Sequence, residues 1–117
     1  MAEEKAMDIL QYIQGNIYEP EKLKAEHIGR HFGISNAYLG RYFKRHANET
    51  MQQYIAGYKT KLIEHRLRFS SKRINEIADE FGFTDESHLN KFFRKQKGRS
   101  PKEYRNQARA EFTPARN

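Results

Sequence analysis

Apolar residues along this chain recur at three- and four-residue intervals and nowhere settle into alternation, which is the pattern of helices rather than strands. Ile9, Tyr12, Ile13 and Ile17 set a first helix at about 7–17, ending before Pro20; residues 1–6 are polar and expected to fray. Ile28 and Phe32 share one face of a second helix, Lys24–Phe32. Gly33 follows it as a turn residue that can take a left-handed conformation without steric cost. Ser35 or Asn36 can cap a third helix carrying Tyr38, Leu39, Tyr42 and Phe43. Thr50-Met51-Gln52-Gln53 has the form of a capping box and opens the longest helix, about 51–69. Its expected buried stripe is Tyr54, Tyr58 and Leu62, flanked by Ile55, Ile63 and Leu67, which leaves Lys59, Lys61, Arg66 and Arg68 largely elsewhere, as either a solvated face or a phosphate track. Ser70-Ser71-Lys72 breaks that helix, and two more follow at about 74–81 and 85–97, the latter ending at Gly98. Ser100-Pro101-Lys102-Glu103 places a cap, a proline in the first turn and a returning glutamate at the start of a seventh helix, about 101–110, with a charged tail beyond. With no hairpin dipeptide competing, the expected class is all-α.

The chain says the same thing twice. Ile28-Gly29-x-x-Phe32-Gly33-Ile34-Ser35 returns as Ile77-Ala78-x-x-Phe81-Gly82-Phe83-Thr84, and Leu39, Arg41, Phe43, Lys44 and Arg45 return fifty places later as Leu89, Lys91, Phe93, Arg94 and Lys95. Thr50 and Tyr54 return as Ser100 and Tyr104, and one extra residue separates Thr84 from Leu89. Two copies are too few for a solenoid, so a pair of similar subdomains joined by the 51–69 helix is expected. Each copy reads as helix, glycine turn and polar-basic helix, the outline of a helix-turn-helix. A small residue (Gly29, Ala78) lets the two helices of each copy cross closely, and the turn glycine lets the chain reverse.

Charge narrows the partner. The 117 residues hold 22 Lys and Arg against 15 Asp and Glu, a net charge of +7, which favours polyanions and nucleic acid first. There is no cysteine, which excludes disulfides, thiolate nucleophiles and cysteine-rich zinc sites. No apolar run approaches a membrane span and the first residues are not a signal peptide, so a soluble cytoplasmic protein is expected, without a cofactor. Both second helices start with small polar residues and carry basic side chains further on. Their first backbone N–H groups can hold a phosphate while early side chains reach base edges. Two such helices in one chain could enter successive major grooves about 34 Å apart. A basic helical module for protein or RNA is the alternative, against which the duplicated turn glycines and matched basic helices argue.

The pattern resembles the AraC/XylS family of bacterial transcription regulators over roughly residues 7–107, most specifically from Arg73 to Tyr104. That stretch includes Ile77-Ala78, Phe81-Gly82-Phe83, Ser87-His88-Leu89, Lys91-Phe92-Phe93-Arg94, Gly98 and Ser100-Pro101. The resemblance implies a first helix-turn-helix at about 25–46, a linking helix at about 51–69 and a second helix-turn-helix at about 74–97. It implies binding to a double-stranded promoter, with activation of transcription more often than repression, through bacterial RNA polymerase. By position, the first recognition helix offers Ser35, Asn36, Ala37, Gly40 and Arg41 to DNA, with Arg45 further along; the second offers Asp85, Glu86, Ser87, His88 and Lys91, with Lys95 further along. Arg41 is the leading base reader, since a guanidinium can bond two acceptors of guanine. Several family members carry larger side chains where this chain has Ala37 and Gly40, so the first helix is expected to make fewer base contacts or to approach the DNA backbone more closely. Glu86 could accept from cytosine N4 or complement its helix N-terminus, and the second role is favoured. Many family members carry an effector-sensing domain before this one. A small-molecule effector would therefore act through a domain absent from this chain, which reads either as a stand-alone member or, the favoured alternative, as the C-terminal piece of a longer regulator.

Other chemistries fit less well. His27 and His31 lie four apart on one helix but lack an evident third metal ligand. Asp85, Ser87 and His88 contain triad residue types, yet neighbouring positions on one helix cannot form a nucleophile–base–orienter line, and no enzyme is expected. Tyr54, Tyr58, Phe81, Phe92 and Phe93 could stack on bases, but their spacing with Leu and Ile favours a core role.

Overall fold

A computed structural model describes residues 2–112, with side chains from Lys5 to Glu111. Seven α-helices occupy the described residues: α1 (Ala2–Gly15), α2 (Ala25–Phe32), α3 (Asn36–Ala47), α4 (Met51–Phe69), α5 (Ile74–Glu80), α6 (Glu86–Lys97) and α7 (Pro101–Phe112). A short 3-10 turn, Pro20–Leu23, stands between α1 and α2. The all-α expectation holds, and six helices fall within a few residues of their expected bounds. The exception is α1, which starts at Ala2 because the polar residues before Met7 include strong helix formers. It stops at Gly15, two residues short, and Ile17 is buried from the turn that follows.

The helices divide into two compact units, one up to Lys59 and one from Thr60, with α4 continuous across the boundary. In the first unit Ile9, Ile13, Ile17, Leu23, Ile28, Leu39, Tyr42, Phe43 and Met51 are buried, with α1 and α2 packed on α3. Tyr12 fastens the 3-10 turn by donating its hydroxyl proton to the Lys22 carbonyl at 3.2 Å. In the second unit Ile63 and Leu67 of α4 join Ile77, Ala78, Phe81, Leu89 and Phe93, and Leu62, Ile74, Phe83, Phe92 and Tyr104 pack around them.

The expected stripe on α4 is misplaced. Met51, Thr60, Ile63 and Leu67 are its buried residues, while Tyr54, Tyr58, Ile55 and Leu62 are only half-buried. Nor are all its cations solvated. Burial pushes the Lys59 ammonium below its usual pKa range. Arg66 is half-buried and its Nε lies 3.0 Å from the Glu80 carboxylate, which Lys72 also reaches at 3.0 Å. Phe81 and Phe93 are fully buried and Phe92 packs on the same core, so these rings are not available to stack on bases.

Candidate nucleic-acid interface

The two turns that aim α3 and α6 are built alike. Gly33 N–H donates to the Arg30 carbonyl at 3.4 Å and Ile34 N–H to the Gly29 carbonyl at 2.8 Å. In the second copy Gly82 N–H donates to the Asp79 carbonyl at 3.1 Å and Phe83 N–H to the Ala78 carbonyl at 2.9 Å. This paired bonding closes a helix on a left-handed residue, and Gly33 and Gly82 have φ of 69° and 77°. The small residue at 29 has a more specific cause than helix crossing. A Cβ there would lie 2.6 Å from the Ile34 carbonyl oxygen, so it is the returning turn that requires glycine.

Each recognition helix then starts on a side-chain cap. Ser35 Oγ accepts from Tyr38 N–H at 3.1 Å, which settles the choice between Ser35 and Asn36, and Asp85 Oδ1 accepts from His88 N–H at 2.9 Å. Cap matches cap as Ser35 to Asp85, so the extra residue of the second copy is Thr84, inside the turn. The helices also end on equivalent features. Phe43 meets Tyr54 edge-on at 5.5 Å, and Phe93 meets Tyr104 edge-on at 5.4 Å. Thr50 and Gln53 bond reciprocally at 3.0 and 2.9 Å, as do Ser100 and Glu103 at 3.1 and 2.8 Å.

All twelve candidate residues are exposed: Ser35, Asn36, Ala37, Gly40, Arg41 and Arg45 on or capping α3, and Asp85, Glu86, Ser87, His88, Lys91 and Lys95 on or capping α6. Arg41, Lys44, Arg45, Lys91 and Lys95 form no ion pair with a described residue, whereas Arg94 pairs with Glu103 at 3.4 Å and Lys97 with Glu64 at 3.3 Å. Exposed cations without an ion pair among the described residues are available to phosphate or to base acceptors. Tyr38 belongs with this set although it was not among the expected DNA-facing residues: it is 46% exposed and stacks on Tyr42 at 5.7 Å. The cap alignment places it opposite His88, and that repeat was the signal that could have found it.

The two helix starts differ in charge. At α3 the cap is a neutral serine followed by Asn36. At α6 Asp85 already satisfies a helix N–H, and Glu86 follows. Asp85 and Glu86 line an open cleft of about 440 Å³ with Glu76 and Asp79 of α5. A phosphate is therefore better received at α3 than at α6, contrary to the expectation that both N-termini would hold one. His88 is fixed locally, with its ring edge-on to Phe83 at 5.1 Å and Nδ1 accepting from Thr84 N–H at 3.4 Å. Asp85 contacts the His88 backbone, an arrangement that orients no imidazole for catalysis. His31 packs on Tyr12 at 4.6 Å, and the described residues contain no group of three or more His, Asp or Glu set to hold a metal.

Residues 28–107 match the family model of a helix-turn-helix domain. The chain is 30% identical over 97 residues to the multiple antibiotic resistance protein MarA of Escherichia coli, covering 83% of this chain and 75% of that protein. The chain belongs to the AraC/XylS family. The HTH-type transcriptional activator RhaS of Escherichia fergusonii is 34% identical over 85 residues, 73% of this chain and 31% of that protein, so this chain spans about a third of that relative. A Chromobacterium violaceum transcriptional regulator with an AraC-type DNA-binding domain shares the fold at a TM-score of 0.78 and 25% identity, over 97% of this chain and 96% of that one. No described helix of this AraC/XylS domain is long and apolar enough to cross a membrane.

Proposed function

We propose that this chain reads a bacterial promoter through both α3 and α6 and activates transcription there. Sequence-specific DNA binding and transcription regulation come with the family. The activating sense is supported by the similarity to RhaS, a transcriptional activator, and bacterial RNA polymerase is the partner through which it would act. The observation that carries the reading is the twofold turn, cap and basic helix, with Arg41, Arg45, Lys91 and Lys95 exposed and without ion-pair partners among the described residues. Within it, Arg41 is assigned to base readout and Arg45, Lys91 and Lys95 to phosphates. Ser35, Asn36, Ala37, Tyr38 and Gly40 form the surface that α3 lays against the duplex. Ser87 and His88 form the corresponding part of α6.

The test is binding of the full chain to a duplex selected from a random pool, to a scrambled duplex and to a structured RNA, each over a salt series. With six to eight phosphate contacts, log affinity should fall against log salt with a slope of roughly −5 to −7. Arg41→Ala should cost about 1–3 kcal/mol on the selected duplex and relax the preference at one base position. Equal losses on selected and scrambled duplexes would reassign Arg41 to a phosphate, and a flat salt profile would overturn the proposal.

A further inference from the structure

The assignment of α3 and α6 to DNA leaves out a basic cavity at the C-terminal end of α6. Gly98 turns the chain there with φ of 77°, and the residues on either side of it, Lys97 and Arg99, both line the same space. Arg68 from the end of α4 and Tyr104, Gln107 and Glu111 of α7 complete most of the wall, enclosing about 250 Å³. Three cations face one carboxylate in that wall. Glu64, paired with Lys97 at 3.3 Å, brings a second, so the site remains net positive. Arg68 donates to the Tyr104 hydroxyl oxygen at 3.4 Å, a long bond that leaves most of its guanidinium uncommitted. Arg99 is half-buried yet forms no ion pair with a described residue. A guanidinium partly withdrawn from water, and without an ion pair among the described residues, is stabilised by an incoming oxyanion. Gln107 and Tyr104 add an amide and a hydroxyl donor. The volume falls just short of the roughly 300 Å³ at which drug-sized sites begin, which suits a small tetrahedral oxyanion better than a nucleotide.

We infer that Arg68, Lys97, Arg99, Tyr104 and Gln107 form a phosphoryl-binding site on the second unit, separate from the recognition surface of α6. Arginine matches two phosphate oxygens at once, and the lysine adds a mobile point charge. The phosphoryl group has two possible sources, a backbone phosphate of the bound duplex or a free phosphate or pyrophosphate. Only the first rests on the DNA-binding reading.

The experiment titrates the isotope-labelled full chain with sodium phosphate and with sodium pyrophosphate, against sodium chloride at matched ionic strength, following backbone amide shifts. Saturable shifts at Arg99, Tyr104 and Gln107 are expected, and these should be lost in the Arg68→Gln/Arg99→Gln variant with an unchanged thermal melt. Arg99→Gln alone serves if the double variant unfolds. A salt series on the selected duplex separates the sources. If the duplex supplies the phosphate, the double variant shows a slope shallower by about 1–2, and duplex displaces pyrophosphate. If the phosphate is free, the slope is unchanged and pyrophosphate binds with duplex already present. Shifts that grow without saturating or follow chloride, together with an unchanged slope, overturn the inference. Wild-type duplex binding in the same series shows whether DNA reading itself stands.

Discussion

A Cβ placed on Gly29 meets the Ile34 carbonyl oxygen at 2.6 Å, whereas one placed on Gly40 meets nothing within 4 Å. The first obstacle is backbone in a tight turn and cannot step aside, so Gly29→Ala should destabilise the first unit by about 1–3 kcal/mol. Gly40 sits exposed in mid-helix, where alanine should add about 1 kcal/mol of stability. Urea midpoints of the two variants should therefore move in opposite directions. Should Gly40→Ala also weaken duplex binding, the bare backbone at that position is what DNA approaches. Arg105 is the residue that patterns along the chain could not reveal. Its guanidinium donates to the carbonyls of Leu67 at 3.0 Å, Lys72 at 2.5 Å, and Arg66 and Ser70 at 3.3 Å each, gathering carbonyls around the end of α4. Burial, and then the neighbouring Arg109, press its pKa down, but the carbonyls favour the charged form. Those partners lie 33 to 39 residues away in the chain, and in the sequence Arg105 is one more cation on a charged helix. Arg105→Gln should cost about 3 kcal/mol in denaturant unfolding, and Arg105→Lys should rescue it only in part, because a single ammonium cannot span four carbonyls.

At the scale of elements, legibility followed locality. The boxes at Thr50–Gln53 and Ser100–Glu103 and the glycine turns were readable because each is settled within six residues. The stripe on α4 was not, because its N-terminal residues pack in the first unit and Ile63 and Leu67 pack in the second, so one helix serves two cores without keeping one face. The clasp at Glu80 is likewise non-local, joining α5 to Arg66 of α4 and to Lys72. Burial alone would raise the Glu80 pKa, but the hydrogen bonds and charges of Lys72 and Arg66 outweigh it and hold the carboxyl below its usual range. A carboxyl depressed in the folded state stabilises the fold above its unfolded pKa of about 4.3, and the benefit is lost as pH falls through the lower folded value. Glu80→Gln should therefore cost roughly 1–2 kcal/mol at neutral pH and lose less stability than wild type on acidification. Urea midpoints from pH 7 down to pH 3 check both; parallel curves would mean that the clasp contributes nothing.

Over the whole molecule the positive charge is unevenly placed. Residues 1–59 hold eight Lys and Arg against seven Asp and Glu, and residues 60–117 hold fourteen against eight. The two heads reverse that ranking: residues 25–46 have four basic and one acidic residue, while residues 74–97 have four and five. The second unit's surplus therefore lies outside its helix-turn-helix, and the four carboxylates of Glu76, Asp79, Asp85 and Glu86 line the cleft beside the start of α6. Such a wall should repel an approaching phosphate, and with α6 reading bases beside it the expected effect is on discrimination rather than on affinity. Neutralising half of it tests this. Glu76→Gln keeps the bond from Arg73 N–H, 2.7 Å in the native chain, because glutamine offers the same acceptor, and Asp79→Asn preserves shape. The double variant should bind random duplex roughly three- to tenfold more tightly at low salt, with the gain fading as screening shortens the range of the repulsion. Its affinity for the selected duplex should rise less, so the ratio between the two should fall. Equal affinities of variant and wild type for random duplex at low ionic strength would show that phosphates never come near this cleft, and that α6 engages DNA through its basic second half alone.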